Sequence, residues 1–158
     1  MCNTSRKIMK TDERPADFET PCFFEAGLQF ECTGCGRCCT GEPGSIYVSP
    51  GEIDRIAALT GMPRPALVSE HLRPYKDSYS IRERPNGDCH FLLDNRCSIY
   101  AARPRQCSTF PFWLRILSVE ANWRYTASRC PGIGRGRLFT KQQILEIISD
   151  ERPCTPGS

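Results

Sequence analysis

Cys32, Cys35, Cys38 and Cys39 follow one another in the pattern Cys-x-x-Cys-x-x-Cys-Cys. In a Cys-x-x-Cys turn two thiolates converge on one metal centre while backbone N–H groups face the sulfurs. Cysteine in a core behaves as a small hydrophobe and would keep helix or strand periodicity, which this cluster does not. Four further cysteines, Cys89, Cys97, Cys107 and Cys130, stand near turn residues. Asn86-Gly87-Asp88 precedes Cys89, Asp94-Asn95-Arg96 precedes Cys97, and Pro131-Gly132 follows Cys130. Separate loops can bring such residues to one place. The eight thiols therefore supply two four-thiolate sites, or one site with bystanders.

The spacing leaves the metal open between zinc and an iron–sulfur centre. A zinc ribbon carries two separated Cys-x-x-Cys knuckles, and only the first half of that pattern is present. Cys32, Cys35 and Cys38 instead match the first three cysteines of a bacterial ferredoxin run, whose distant fourth ligand is a cysteine followed by proline; Cys130-Pro131 is such a residue. If the metal is iron, a 4Fe-4S cluster is expected. Adjacent side chains in extended backbone point to opposite faces, so a second site for Cys39 is left open beside a shared one. Cys2, Cys22 and Cys154 have no paired spacing and are read as incidental thiols.

The elements around these residues are short. Phe23 to Phe30 reads as a strand feeding the cluster, and Ser45 to Val48 as another. Ser49-Pro50-Gly51-Glu52 is a capping box with proline at the first helical position. Ile53, Ile56, Ala57 and Leu59 give that helix its apolar face, and Gly61 stops it. Pro63 to Leu72 reads as a second helix, with Leu67, Val68 and Leu72 inward. Tyr79 to Arg84 and Cys89 to Leu93 read as strands paired around Pro85-Asn86-Gly87-Asp88, with a further turn at Asp94-Asn95. Ser98 to Arg103 reads as one helical turn. A second capping box at Thr140-Lys141-Gln142-Gln143 opens a helix with Ile144, Leu145, Ile147 and Ile148 on one face. The expected fold is one small α+β, cysteine-rich domain over 23–150 with a metal-organised loop core. Flexible segments are expected at 1–22 and 151–158.

Composition narrows the setting. The 158 residues suffice for one domain with a modest core, and 13 prolines and 12 glycines call for many turns. Eleven cysteines is an odd number, Met1 to Thr20 holds no apolar signal region, and no stretch of about 18 apolar residues occurs. These features point to a reducing cytoplasm and thiolate–metal chemistry, away from a secreted disulfide scaffold and away from the membrane. The formal net charge is +3 with neutral thiols. Two divalent ions in four-thiolate sites would contribute about −4 in all, so the basicity does not support nucleic-acid binding.

These residues resemble the YkgJ-type cysteine-cluster family of zinc- or iron-chelating proteins. The resemblance runs from Phe30-Glu31-Cys32-Thr33-Gly34-Cys35-Gly36-Arg37-Cys38-Cys39 through Cys89, Cys97, Tyr100, Arg103-Pro104, Cys107 and Phe110-Pro111 to Cys130-Pro131-Gly132. It covers roughly 23–148 and departs at Ser108, where the family usually places arginine. It implies metal chelation by the eight cysteines more firmly than any reaction. A related cysteine-cluster domain in flagellin lysine N-methylases implies an alternative, an iron–sulfur, S-adenosylmethionine-dependent methyltransferase-like enzyme. A redox or metal-handling partner protein is a further alternative.

Other residues are read as structural. Gly132-Ile133-Gly134-Arg135-Gly136 follows Cys130-Pro131 rather than a buried strand, so a tight turn near ligand sulfurs is expected in place of a nucleotide loop. His90, in a strand, points away from Cys89, and His71 has no local ligand partner. Arg103 is expected to bond backbone carbonyls or balance thiolate charge. Phe110, Phe112 and Trp113 shield the site, fill the core, or do both. Arg135 and Arg137 are expected on a solvated face.

Overall fold

Ser49 caps helix α1 (Pro50–Thr60) as the sequence requires: its side chain accepts from Glu52 N and the Glu52 carboxylate accepts from Ser49 N, in a computed structural model that describes residues 22–41 and 44–150. The left-handed Gly61 (φ 69°) ends the helix. Ile53 and Ile56 are fully buried, but Leu59, expected on the same face, is 48% exposed because it lies at the helix end. Helix α2 (Arg64–His71) follows, with Leu67 inward. The expected tail 151–158 and the N-terminal segment up to residue 21, with Cys154 and Cys2, lie outside the described residues.

Three small antiparallel sheets complete a mixed α+β fold. Strand β1 (Leu28–Phe30) pairs with β7 (Arg137–Phe139), Leu28 opposite Phe139. Strand β4 (Ser78–Ile81) lies between β2 (Tyr47–Val48) and β3 (Leu72–Tyr75). Leu72 therefore packs from a strand rather than from the expected helix. The expected hairpin around Asn86-Gly87 survives as a Glu83–Cys89 bridge beyond the end of β4. The turn at Asp94-Asn95 joins β5 (Leu92–Leu93) to β6 (Arg96–Cys97), and both turn residues have positive φ, as a tight hairpin turn demands. Two short helices, α3 (Arg105–Ser108) and α4 (Leu114–Leu117), lead into α5 (Glu120–Arg129). The final helix, α6 (Lys141–Asp150), starts at the Thr140/Gln143 capping box.

The apolar residues gather in two clusters. Val48, Ile53, Ile56, Leu67, Leu72, Ile81, Phe91, Ile99 and Ala102 form an aliphatic core. Phe24, Phe112, Trp113, Ile116, Leu117, Trp123, Ile144 and Ile148 form an aromatic-rich core. Ile46 packs against both. The cysteine loop leaves β1 on the aromatic side and crosses to the aliphatic side.

Candidate metal centre

Several of the cysteines are held by distinct local devices. Gly36 (φ 69°) presses the cluster loop onto the Asp94-Asn95 turn so closely that a Cβ would stand 2.3 Å from the Asn95 oxygen. Only glycine fits there. The 3-10 turn Arg37–Cys39 follows, closed by Cys39 N donating to Gly36 O at 2.9 Å. Cys89 N donates to Cys39 O at 2.8 Å and so joins the Glu83–Cys89 bridge around Asn86-Gly87 to the cluster loop. Cys97 ends β6, and Cys130 caps the C-terminus of α5.

Cys107 lies on α3, which is fastened at two consecutive residues. Arg105 N donates to the buried Glu52 carboxylate at 2.7 Å. The Gln106 side chain donates to Ser45 O at 3.1 Å and accepts from Tyr47 N at 3.0 Å. The capping box signalled Glu52, but its bond to α3 is a tertiary contact that no local pattern announces.

Cys32, Cys35, Cys38, Cys39, Cys89, Cys97, Cys107 and Cys130 all line one cavity of about 90 Å³. Phe30, Ile81, Phe91, Ile99 and Phe110 share its wall. Cys22 does not line it and instead bonds Glu25. The nine described cysteines are free thiols. The Cys38 and Cys39 sulfurs are 3.8 Å apart, so the two adjacent side chains share a side rather than diverging. The 3-10 turn replaces the extended backbone on which divergence was expected. Among the described residues, no three His, Cys, Asp or Glu side chains already close on a single ion position.

Backbone amides face several sulfurs. Phe91 N–H bonds the Cys89 sulfur, Ile99 N–H bonds the Cys97 sulfur, and the Gly132 and Ile133 amides bond the Cys130 sulfur. Such bonds favour the thiolate. Hydrogen bonding with the Cys39 thiol brings both Cys38 and Cys89 down to about 7. The same two neighbours push Cys39 far up. Burial pushes Cys97, Cys107 and Cys130 up, while the Arg103 guanidinium pulls down on Cys38, Cys97 and Cys107. Arg103 also donates to Tyr100 O at 2.9 Å and lies 3.9 Å from the Tyr100 ring centre, so both of its expected roles occur together. Soft thiolates, amide donors and a fixed arginine suit zinc or an iron–sulfur centre.

The glycine-rich segment after Cys130 is a packed turn. A Cβ on Gly132 would stand 2.1 Å from Glu31 O, and one on Gly136 would stand 2.4 Å from the Glu31 Cβ. These glycines permit close approach to the strand that feeds the cluster. Phe112 and Trp113 are buried in the aromatic core, while Phe110 lines the cavity. Arg135 and Arg137 are exposed, Arg137 lying over the Phe139 ring. His71, which has no local ligand partner in the sequence, meets His90 with Nδ1···Nδ1 at 2.8 Å, and its ring stacks on Phe91. Neither histidine lines the cavity.

Residues 31–131 match the CxxCxxCC family model, described as "Putative zinc- or iron-chelating domain". No solved structure matches the chain. Among the described residues, no helix is long and apolar enough to cross a membrane.

Proposed function

The chain belongs to the CxxCxxCC family of zinc- or iron-chelating domains, and from that premise we propose that residues 23–150 form a unit that holds zinc or an iron–sulfur centre. The ligands are drawn from Cys32, Cys35, Cys38, Cys39, Cys89, Cys97, Cys107 and Cys130. The observation that carries this reading is their common cavity: cysteines far apart in sequence line one space of about 90 Å³. No packing requirement gathers eight thiols while leaving Cys22 outside.

The 3.8 Å spacing of the Cys38 and Cys39 sulfurs supports a shared ion. A tetrahedral site with metal–sulfur bonds near 2.3 Å has edges of about 3.8 Å. A reducing cytoplasm suits this chemistry, because oxidation would convert the ligands to disulfides.

The test is the zinc, iron and acid-labile sulfide content per chain after anaerobic purification. Iron with matching sulfide identifies a cluster; zinc without sulfide identifies a thiolate zinc site; neither metal overturns the reading. Cys35→Ser should lower bound metal and melting temperature together. Full metal content in that variant would remove Cys35 from the ligand set.

A further inference from the structure

Beside the thiol cavity lies a larger groove of about 730 Å³, within the usual size range of small-molecule sites. Cys38, Cys39, Cys89 and Cys130 form part of its wall, so the groove and the cavity share these residues. Its lining also carries Arg37, Arg82, Arg115 and Arg129 and, among the described residues, one acid, Glu83. The Glu83 carboxylate is engaged by Gly44 N at 2.7 Å.

The surface arginines differ in their pairing, and three without a carboxylate partner among the described residues line this one groove. Arg64, Arg105 and Arg124 pair with Asp54, Asp150 and Glu120. Among the described residues, no carboxylate pairs with Arg37, Arg82 or Arg115. Arg37 is oriented by a 3.3 Å bond to Arg129 O, and Arg115 by the Trp113 ring, 4.8 Å from its guanidinium. A guanidinium has five donors in a planar fork, and these contacts engage only part of it. The Trp113 ring holds an arginine, so its role here is to orient that charge.

We propose that this groove binds a small organic oxyanion, a carboxylate or a phosphate ester, with Arg37 and Arg115 as its binding residues. The ligand lies against the thiol wall, within reach of whatever the cysteines hold. Planar oxyanions match the guanidinium fork, and charge-assisted bonds of this kind are about twice as strong as neutral ones. The site goes beyond the metal-binding reading and does not require it.

The test is calorimetric titration of the full chain as purified, with its metal content recorded. The probes are glutarate, glycerol 3-phosphate and, as an uncharged control, glycerol. Saturable binding of at least one oxyanion without binding of glycerol is expected, and the probe that binds identifies the head group. Arg37→Gln and Arg115→Gln should each weaken that binding about tenfold, while Arg135→Gln, exposed and outside the groove, should leave it unchanged. Raised ionic strength should weaken binding to the parent chain, a readout independent of any variant's folding.

Failure of both oxyanions to saturate, equal binding of glycerol, or unchanged affinity in folded variants at both arginines would overturn the proposal. So would variants that lose metal but keep oxyanion affinity, since the arginines would then be balancing thiolate charge. Failure of the metal reading is separately visible as a parent chain without zinc or iron.

Discussion

The aliphatic and aromatic cores are assembled from different ranges of the chain. Every residue of the aliphatic core lies between Val48 and Ala102, within neighbouring helices and hairpins. The aromatic core needs both ends of the described chain, joining Phe24 and β1 to Phe112, Trp123, β7 and α6. Local contacts close short loops, whereas the β1–β7 pairing spans about a hundred residues and costs more chain entropy. The cysteine loop crosses between the two, tied to the aliphatic side by Cys89 N to Cys39 O and by Gly36 against Asn95. The thiol cavity therefore lies at the seam between the two cores. On the proposed function, metal held there would fasten the side that closes at long range to the side that closes locally.

Chelation should therefore have the largest effect and an uneven one. A structural zinc contributes about 10 kcal/mol or more in small zinc domains, so its loss is felt by every element it ties down. Hydrogen exchange after treatment with a strong chelator should show protection lost first at 28–39 and 130–139. Helix α1 should keep its protection longer. Uniform loss across both cores would mean that they unfold as one unit and that the seam has no special role.

Core truncations sharpen the same contrast. Phe112 is 2% exposed and makes ring contacts with Phe30, Phe139 and Trp123. Phe112→Ala should cost about 3–5 kcal/mol. It should also speed metal loss to a mild chelator, because Phe30 directly precedes the cluster loop. Ile56→Ala, on the aliphatic side, should cost about 2–5 kcal/mol with a smaller effect on metal loss. Equal metal lability in the two variants would contradict the asymmetry. Gly132→Ala should act more narrowly, since its Cβ would stand 2.1 Å from Glu31 O and force the Cys130 turn away from β1. Crowding of this kind costs about 1–3 kcal/mol. Metal release, followed by a colorimetric chelator, should rise while α1 keeps its exchange protection.

How much of this was legible in the sequence follows the same division. Helix α1 could be read from Ser49, Pro50, Glu52 and Gly61, because caps act within four residues of one another. Helix α6 could be read from Thr140 and Gln143 for the same reason. Helix α5 escaped, because Glu120–Arg129 buries only Trp123 and so carries almost no apolar period. The pairing of β3 with β4 escaped as well: Pro74 lies inside β3, and the strand follows helix α2 without a break. The eight cysteines were legible as candidates from spacing and turn residues, but not as neighbours around one cavity. Nor could spacing show Cys38 and Cys39 on the same side, since that depends on the 3-10 turn. The Glu52–Arg105 and His71–His90 contacts span 53 and 19 residues and leave no local trace.

Glu52 offers the mildest perturbation of the link between the aliphatic core and a candidate ligand. Burial pushes its carboxyl up, but bonds from Arg105 N, Ser49 N and the Ser49 hydroxyl outweigh it, and the net is below the ordinary value of 4.5. A carboxylate depressed in the folded state stabilises above its unfolded pKa, and that stabilisation is lost as pH falls through the folded pKa. Glu52→Gln should cost about 1–2 kcal/mol at neutral pH through the cap and the Arg105 bond. The gap between the two chains should narrow below about pH 4.5. Acid also protonates the thiols, but it does so in both chains, so the difference between their denaturation midpoints isolates Glu52. Metal retention at neutral pH decides whether the contact matters to the site. If α3 is fastened through Arg105, the glutamine variant should release metal faster than the parent. An unchanged release rate would show that Gln106, bonded to Ser45 and Tyr47, holds Cys107 in place by itself.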